Sequence, residues 1–508
     1  MTVRGTFERW IAIGALGAAA LAGCGDPGGA ADGGEARADA STPEDARIGT
    51  DSALPDGAPD RDADAPRDDG GGGACGDSAR DGDELCDGDE RECATLARSY
   101  SGGTATCRSD CRGYDVSACT RDAMGLEYVK PALRDARWAD AMCSESGEFF
   151  FTVLLTGAST WHISLEGGGY CSPGDINPCH ARPDTLTQDA EERGGDIVHV
   201  TDGERVDARR SIAHPARFAG ANVVRLQYCS NDLWSGTRTT PLEIPAGATG
   251  TATMPYVFSG RINVAATIEA LQQRFGLDDS DPDTAVFFMG SSAGGHGVLN
   301  NADQLARLLP STTARGRLHG LAVAGHLPSS WGAASAAVPG DWSLVAGRAH
   351  SGLFVEDVAG DLIAAWQSRF SPTCEAAHPT EIWRCGFAAT QHPFLTDAAP
   401  AGLGLAIAMA QNLTDPFYQG MHGLIRPSPR SFFPGGAEAS AAWASAMAAE
   451  LAPLRWIYAP RHELDHHGIP LDAQPVDRAI PTLGALMDAF VETARPDDFR
   501  YVDFGRLE

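Results

Sequence analysis

The stretch from Thr284 to Asn301 constrains the fold of this chain more than any other part of its sequence. An apolar run of strand character, Ala285 to Met289, ends at Gly290-Ser-Ser-Ala-Gly294, and small and apolar residues then continue as a predicted helix to about Leu309. A strand that passes into a helix within one sharp turn needs glycines, because side chains there would collide with the neighbouring elements. The pattern predicts a nucleophile elbow with the Ser292 hydroxyl exposed at its tip. An ordinary Gly/Ser loop is the alternative, since the chain contains 59 glycines.

A second glycine segment follows another predicted strand. Gly167 to Gly169 come directly after Trp161 to Leu165 and Glu166. Backbone N–H groups without obstructing side chains are what a developing oxyanion needs. Such a loop lies beside the elbow in folds of this class, so we expect the N–H groups of Gly168, Gly169 and Ala293 to form an oxyanion hole.

Strand-like and helical segments alternate between Asp122 and Glu508. The strand-like runs are Phe149 to Thr156, Trp161 to Leu165, Val223 to Gln227, Ala285 to Met289 and Arg455 to Tyr458. The helical segments include Ile262 to Phe275 and Ile480 to Arg495. This alternation predicts the α/β class, with a mostly parallel sheet covered by helices on both faces.

Four segments in fixed order carry a family resemblance. They are Leu165-Glu-Gly-Gly-Gly-Tyr-Cys171, Arg225-Leu-Gln-Tyr-Cys-Ser-Asn-Asp-Leu-Trp-Ser-Gly236, Phe258-Ser-Gly-Arg261 and Gly290-Ser-Ser-Ala-Gly-Gly295. Their order and spacing resemble the pectin acetylesterase/Notum family over roughly residues 142 to 466. The resemblance implies an α/β-hydrolase-fold carboxylesterase that uses Ser, Asp and His and needs neither cofactor nor metal.

The acid of such a triad follows the serine in the chain. The order of residues alone leaves open Asp303, Asp341, Asp357, Asp361, Asp397 and Asp415. The family pattern Gln-x-Leu-x-Asp matches Gln411 to Asp415, so the resemblance favours Asp415, which would orient and stabilise the imidazole. The alternative is an aspartate that forms a turn before Pro416.

The base is expected in the segment after Ala459-Pro460. The resemblance indicates His462, but the family has a longer stretch between this proline and its histidine, so His466 and His467 remain alternatives. His296 is expected to form a wall of the site. His462 to His466 also match H-E-x-x-H, a zinc-protease pattern, but the nearby prolines and glycine leave little room for the long helix that this pattern needs.

The thirteen cysteines divide into Cys24 alone, six between Cys75 and Cys119, and six between Cys143 and Cys385. Two groups that each contain an even number of cysteines, beside one single cysteine, favour disulfide pairs and an oxidising compartment. Closeness in sequence favours the pairs Cys171–Cys179 and Cys374–Cys385, and the family resemblance implies Cys143–Cys229.

The chain before the hydrolase segment divides into three parts. Arg4 and Arg9 precede a short apolar run that ends at Leu-Ala-Gly-Cys24, which resembles a bacterial lipobox and predicts a signal peptide over 1–23 with lipidation of Cys24. We expect residues 24–73 to form a disordered acidic linker, because residues 25–73 contain thirteen acidic residues and only four arginines. Residues 74–120 form a predicted cysteine-rich module that resembles repeats of bacterial surface proteins and needs its disulfides to fold. Its acidic side chains are expected to be solvated, with calcium as the alternative.

The predicted catalytic domain over 122–508 is expected to hydrolyse O-acyl esters. The net charge of −29 disfavours a nucleic-acid partner. Within the family, plant and bacterial members act on acetyl esters of pectin, and the animal branch acts on a fatty acyl group of a signalling protein. The Gly167–Gly169 loop favours the former and Tyr228–Gly236 favours the latter. We expect an acetylated, pectin-like polysaccharide as substrate, with a fatty-acyl ester or a catalytically inactive surface-binding protein as alternatives. The lipid would hold the exported protein at the cell surface or the periplasmic face of the envelope.

Overall fold

A mixed sheet of ten strands, counted over the residues that the structure describes, lies at the centre of the computed structural model. The described residues are 75–80, 84–121, 126–145, 147–171, 179, 197–199, 220–245, 253–326, 329, 356–396, 402–413, 415, 418, 436–459, 467, 469, 475, 477, 479–492 and 500–502. The expected signal peptide, the lipidation site at Cys24 and the acidic linker lie outside these residues. Among the described residues, no helix combines the length and apolar character needed to cross a bilayer.

The structure describes seventeen strands, and they are numbered in chain order whether or not they belong to the large sheet. In chain order, the strands are β1 (Glu90–Glu92), β2 (Tyr100–Gly102), β3 (Thr104–Cys107), β4 (Tyr114–Asp115), β5 (Thr120–Arg121), β6 (Leu126–Val129), β7 (Phe151–Leu154), β8 (Thr160–Leu165), β9 (Ile197–His199), β10 (Asn222–Leu226), β11 (Arg238–Pro245), β12 (Thr253–Phe258), β13 (Ala285–Ser291), β14 (Leu318–Val323), β15 (Ala406–Ala410), β16 (Ile457–Ala459) and β17 (Arg500–Val502). The large sheet has the order β17-β16-β15-β14-β13-β8-β10-β7-β6-β9.

Strands β17 to β10 in this order are parallel to their neighbours, and β7, β6 and β9 continue the sheet with antiparallel pairings. All residues of β14 and β15 are buried, as expected for central parallel strands that are covered on both faces. The α/β class and the mostly parallel sheet are therefore confirmed.

Helices connect and cover these strands. They are α1 (Cys93–Leu96), α2 (Gly260–Ala270), α3 (Ala293–Leu308), α4 (Pro310–Ala314), α5 (Glu356–Trp366), α6 (Pro372–Ala377), α7 (Ala388–Leu395), α8 (Gly436–Leu451) and α9 (Leu483–Glu492), with 3-10 turns at Pro131–Leu133, Ala136–Trp138 and Ile382–Gly386. A π-helical segment, Leu271–Phe275, continues α2. Helix α3 is buried on nearly all sides, because it packs directly against β13, β14 and α2.

The cysteine-rich module folds around three disulfides. Its bonds are Cys75–Cys111, Cys86–Cys107 and Cys93–Cys119. The three bonds of the hydrolase segment are Cys143–Cys229, Cys171–Cys179 and Cys374–Cys385, the same pairs as expected from the sequence. Glu84 and Asp87 lie near Cys111 in the module, in a grouping that could hold a metal ion. Cys111 forms a disulfide with Cys75, however, so its sulfur is not available as a thiolate ligand.

The module packs against the hydrolase segment through specific polar contacts. The Gln273 side chain donates to the Leu85 carbonyl over 2.7 Å, and Arg137 donates to the Glu84 carbonyl over 2.7 Å. The buried carboxylate of Glu127 in β6 accepts the backbone N–H of Ser99 over 2.5 Å. The module is thus joined to β6 and to the π-helical end of α2, which its composition did not indicate.

The carboxyl ends of the parallel strands lie along one edge of the sheet. Ser292 follows β13, and the glycine loop follows the adjacent β8. On the other side of β13, Ala324 follows β14, Asp415 follows β15, and His467 follows β16 in the chain. This edge therefore assembles the candidate site from five neighbouring strands.

Candidate active site

The elbow has the conformation that the sequence predicts. Ser292 lies between β13 and α3 with φ 59° and ψ −125°, a region that a non-glycine residue rarely occupies and that costs on the order of 1–3 kcal/mol. Its N–H donates to the Val323 carbonyl over 2.9 Å, and its carbonyl accepts the N–H of Gly295 over 2.9 Å. A Cβ on Gly290 would collide with the Gly294 carbonyl, so the tight turn requires glycine. The surrounding structure therefore holds Ser292 in a strained conformation.

The glycine loop lies directly beside the elbow. An ideal Cβ on Gly167 would lie 2.5 Å from the Ser291 carbonyl oxygen and 2.9 Å from the Ser292 Cβ. Gly169 has φ +75°, which favours glycine. The loop's position agrees with the expectation, whereas the roles of Gly168, Gly169 and Ala293 as oxyanion donors stay a prediction.

Two aromatic side chains fix the backbone of this loop. The Tyr228 hydroxyl donates to the Gly169 carbonyl over 2.7 Å and accepts the Leu233 N–H over 2.8 Å. The Trp234 indole N–H donates to the Glu166 carbonyl over 3.0 Å. The loop is therefore held at both ends by the segment that follows β10.

Asp232 organises that segment. Its carboxylate accepts hydrogen bonds from the Ser230 hydroxyl over 2.6 Å and from the N–H groups of Trp234, Gly236 and Gly260 over 2.9, 3.2 and 2.8 Å. Burial raises the pKa of Asp232 to about 6, although the hydrogen bonds that it accepts oppose this shift. The family motif contained this residue, but no sequence signal indicated that it links the loop after β10 to the start of α2.

Asp415 holds the imidazole of His467. The Nδ1 atom of His467 lies 2.9 and 2.8 Å from the two carboxylate oxygens of Asp415, which is fully buried. A carboxylate can only accept here, so Nδ1 carries the proton and Nε2 has the lone pair that a general base needs. His467 was an alternative in the sequence analysis, and the favoured His462 lies outside the described residues, as does His466.

Tyr418 is a site residue that the sequence did not reveal. Its hydroxyl donates to the Ala324 carbonyl, and its backbone N–H donates to Asp415 Oδ1 over 3.1 Å. Its ring packs edge-on against the His467 ring, with 5.0 Å between the centroids. Burial raises the pKa of Tyr418 well above its ordinary value, so the phenol stays protonated. Tyr418 thereby joins the end of β14 to the Asp415–His467 pair.

His296 is buried near His467, and its role as a wall of the site stays a prediction. It is buried in α3, four residues after Ser292. Burial first, and then the nearby imidazoles of His326 and His467, lower the pKa of His296 to about 3. A general base at neutral pH works best with a pKa near 7, so His296 is poorly suited to that role.

Comparison with known proteins finds relatives of part of this chain. Residues 120–327 match the family model described as Pectinacetylesterase. The palmitoleoyl-protein carboxylesterase notum1' of Xenopus laevis is 31% identical over 153 residues, which cover 30% of this chain and 28% of that protein. The matched region is therefore similar to proteins of the pectin acetylesterase/Notum family. Another relative, the palmitoleoyl-protein carboxylesterase NOTUM of Drosophila melanogaster, is 26% identical over 265 residues, 48% of this chain and 33% of that protein.

These sequence matches span a third or less of the relatives' own length. Solved structures extend the likeness of the fold. A crystal structure of the Wnt deacylase Notum from Drosophila has a TM-score of 0.51 and 20% sequence identity, and the match covers 70% of this chain and 91% of that chain. The expected α/β-hydrolase fold is thereby confirmed.

Proposed function

We propose that this protein is a serine carboxylesterase that hydrolyses O-acyl esters, with Ser292 as nucleophile, His467 as general base and Asp415 as the acid that orients it. The observation that carries the proposal is the pair formed by His467 and the buried Asp415, which follow β16 and β15 at the same edge of the sheet as the elbow. His467 takes the place of His462 in this assignment, because His467 is the imidazole that contacts the predicted acid. The family of the matched region supports the reaction class.

The reaction proceeds as acyl transfer in two steps. His467 Nε2 accepts the proton of the Ser292 hydroxyl while Oγ bonds to the ester carbonyl carbon, and the N–H groups of Gly168, Gly169 and Ala293 stabilise the oxyanion. The imidazolium then protonates the leaving alcohol. A water molecule, deprotonated by His467, attacks the acyl-enzyme, and the acid leaves as Ser292 regains its proton.

The substrate that we propose is an O-acetylated, pectin-like polysaccharide. The match to the pectinacetylesterase family model supports the acetyl group. The relatives named palmitoleoyl-protein carboxylesterases favour a second candidate, hydrolysis of a fatty-acyl ester. The two differ in the length of the acyl chain that the site must hold.

We also propose that the protein is exported and anchored to a membrane through lipid on Cys24. Six disulfides among the described residues support an oxidising compartment outside the cytosol. Two experiments test the anchor: treatment with globomycin, which blocks lipoprotein signal cleavage, and replacement of Cys24 by Ser. The Cys24→Ser variant is expected to leave the membrane fraction. Membrane retention of that variant would refute the anchor.

Labelling with a fluorescent fluorophosphonate tests the reaction class. We expect the wild-type protein to label, and Ser292→Ala to lose labelling and up to about 10⁶-fold in turnover. Ser291→Ala, which removes an exposed hydroxyl one residue earlier, is the matched control and should label normally. A wild-type protein that does not label would indicate a catalytically inactive surface-binding protein instead.

Ester substrates of different length distinguish the two acyl groups. We expect p-nitrophenyl acetate to be hydrolysed faster than the octanoate and longer esters, and acetate to be released from acetylated pectin. Faster hydrolysis of long-chain esters, without acetate release from pectin, would favour the fatty-acyl candidate.

A further inference from the structure

One phenol hydroxyl joins two segments of the candidate site. The Tyr228 hydroxyl donates to the Gly169 carbonyl over 2.7 Å and accepts the Leu233 N–H over 2.8 Å. Both directions are fixed, because a carbonyl can only accept a hydrogen bond and a backbone N–H can only donate one. Gly169 belongs to the loop after β8 and Leu233 to the segment after β10, so a single oxygen atom holds these two segments together.

The Tyr228 ring packs against the residue before Gly169. An ideal Cβ on Gly168 would lie 2.7 Å from Tyr228 Cδ1, so the ring occupies the space that a side chain there would need. The ring is buried, and the Trp234 ring packs against it with 5.1 Å between the centroids. Tyr228 therefore supports the Gly168–Gly169 peptide at both ends, with its ring at Gly168 and its hydroxyl at the Gly169 carbonyl.

This peptide carries the Gly169 N–H, one of the predicted oxyanion donors. Gly169 has φ +75°, and a glycine can change its backbone conformation at little cost because no Cβ restricts it. An oxyanion hole is effective only if its donors are already oriented when the charge develops. A loop of three glycines needs support from outside to meet this condition.

We propose that Tyr228 is a positioning residue for the oxyanion hole: its hydroxyl holds the Gly168–Gly169 peptide in the orientation that the developing oxyanion requires. The inference rests on the proposed function and on the predicted role of these glycines as donors. Tyr228 acts through the loop and does not touch the reacting atoms. Without its hydroxyl, the Gly169 carbonyl loses the hydrogen bond from Tyr228, and the donor must be ordered again in every transition state.

Tyr228→Phe in the full chain tests the proposal, because it keeps the ring against Gly168 and removes only the hydroxyl. Complete loss of one oxyanion donor costs about 10² to 10³ in rate, and the Trp234 indole still holds the Glu166 carbonyl in this variant. We therefore expect kcat for p-nitrophenyl acetate, divided by the number of sites that a fluorophosphonate labels, to fall by about 10- to 100-fold. KM should change by less than about 2-fold, since the ground state has no oxyanion.

Inhibition by phenyl trifluoromethyl ketone gives a readout that a purely structural role would not change. Ser292 Oγ bonds to the ketone carbon, the serine proton passes to His467, and the ketone oxygen becomes an oxyanion, with no leaving group. The inhibition constant should rise by about the factor by which kcat/KM falls, because both depend on the same donors. Partial unfolding would instead reduce the number of labelled sites and leave the inhibition constant of the folded fraction unchanged.

Tyr458→Phe is the matched control. This buried tyrosine also donates to a backbone carbonyl, that of Pro481 over 3.0 Å, but three strands separate its strand β16 from β8. Its kcat and inhibition constant should equal those of wild type. If Tyr228→Phe does not fold, Gly168→Ala tests the same contact from the loop, because its Cβ would push the loop away from the ring. It should lower kcat and raise the inhibition constant in the same way.

The outcomes separate this inference from the proposed function. An unchanged kcat in the folded variant, or a fall in kcat without a rise in the inhibition constant, overturns the role of Tyr228. The proposed function then stands, provided that wild type labels with the fluorophosphonate and Ser292→Ala does not. A wild-type protein that fails to label overturns the proposed function and this inference with it.

Discussion

Replacement of Gly167 by alanine tests how closely the glycine loop must approach the nucleophile. The new Cβ would lie 2.5 Å from the Ser291 carbonyl oxygen and 2.9 Å from the Ser292 Cβ, and ordinary van der Waals contact begins near 3.4 Å. Both neighbours belong to the strained elbow, which has little freedom to move. The exposed loop must therefore yield by about 0.9 Å, the difference between 2.5 and 3.4 Å.

This displacement is large for an oxyanion hole. A misplacement of about 1 Å costs on the order of 10²-fold in rate, and loss of one donor costs about 10² to 10³. Because the oxyanion develops only in the transition state, Gly167→Ala should lower kcat by about 10²-fold with little change in KM. The displaced loop would also strain the hydrogen bonds that it accepts from Tyr228 and Trp234, so the free energy of unfolding should fall by roughly 0.5–1.5 kcal/mol for each bond that is lost.

The assay is p-nitrophenyl acetate hydrolysis, combined with a thermal melt to show that the variant is folded. Gly220→Ala is the control, because a Cβ at that exposed glycine has nothing within 4 Å. If the folded Gly167→Ala variant keeps the wild-type kcat, the loop after β8 does not supply the oxyanion donors, and the argument from its contact with the elbow is refuted.

Two further predictions concern stability. Removing the Cys143–Cys229 bond, which closes a loop of 86 residues, should lower the free energy of unfolding in urea by about 4–5 kcal/mol. Removing Cys374–Cys385, which closes a loop of 11 residues, should lower it by about 3 kcal/mol. Equal losses would contradict the loop-entropy argument. Burial lowers the pKa of His392 to about 4, so the unfolded chain binds its proton first and stability falls as the pH drops from about 6.5 to about 4. When the pH is lowered from 7 to 4, the free energy of unfolding of His392→Gln, measured in urea, should fall by about 3 kcal/mol less than that of wild type. An equal fall in both proteins would show that His392 does not contribute to the acid sensitivity.

The elbow around Ser292 could be predicted from the sequence because its signals are local. A strand, a tight glycine turn and a helix follow one another within a few residues around Ser292, and the glycines after β8 are equally compact. Short-range sterics determine such turns, so a pattern of residue types is informative. The order of the elements also predicted the parallel sheet correctly.

The base could not be assigned in the same way. His462, His466 and His467 lie within six positions, and the choice among them depends on the path of the chain after β16 toward the buried Asp415. Spacing compared with the family pattern favoured His462, whereas our proposal of His467 rests on its contact with Asp415. Tyr418 gave no signal, because an aromatic residue three positions after an aspartate is usually part of a core.

Docking of the cysteine-rich module affects where the chain can be shortened. The expected boundary near residue 121 looks like a natural start for a minimal catalytic fragment. Yet such a fragment would lose the groups that now cover Glu127 and the π-helical segment, and it would leave the Glu127 carboxylate and the Gln273 amide without the partners they have in Ser99 and Leu85. A gene that begins before Cys75 should therefore give a more stable protein for crystallisation and assays than one that begins at the hydrolase segment.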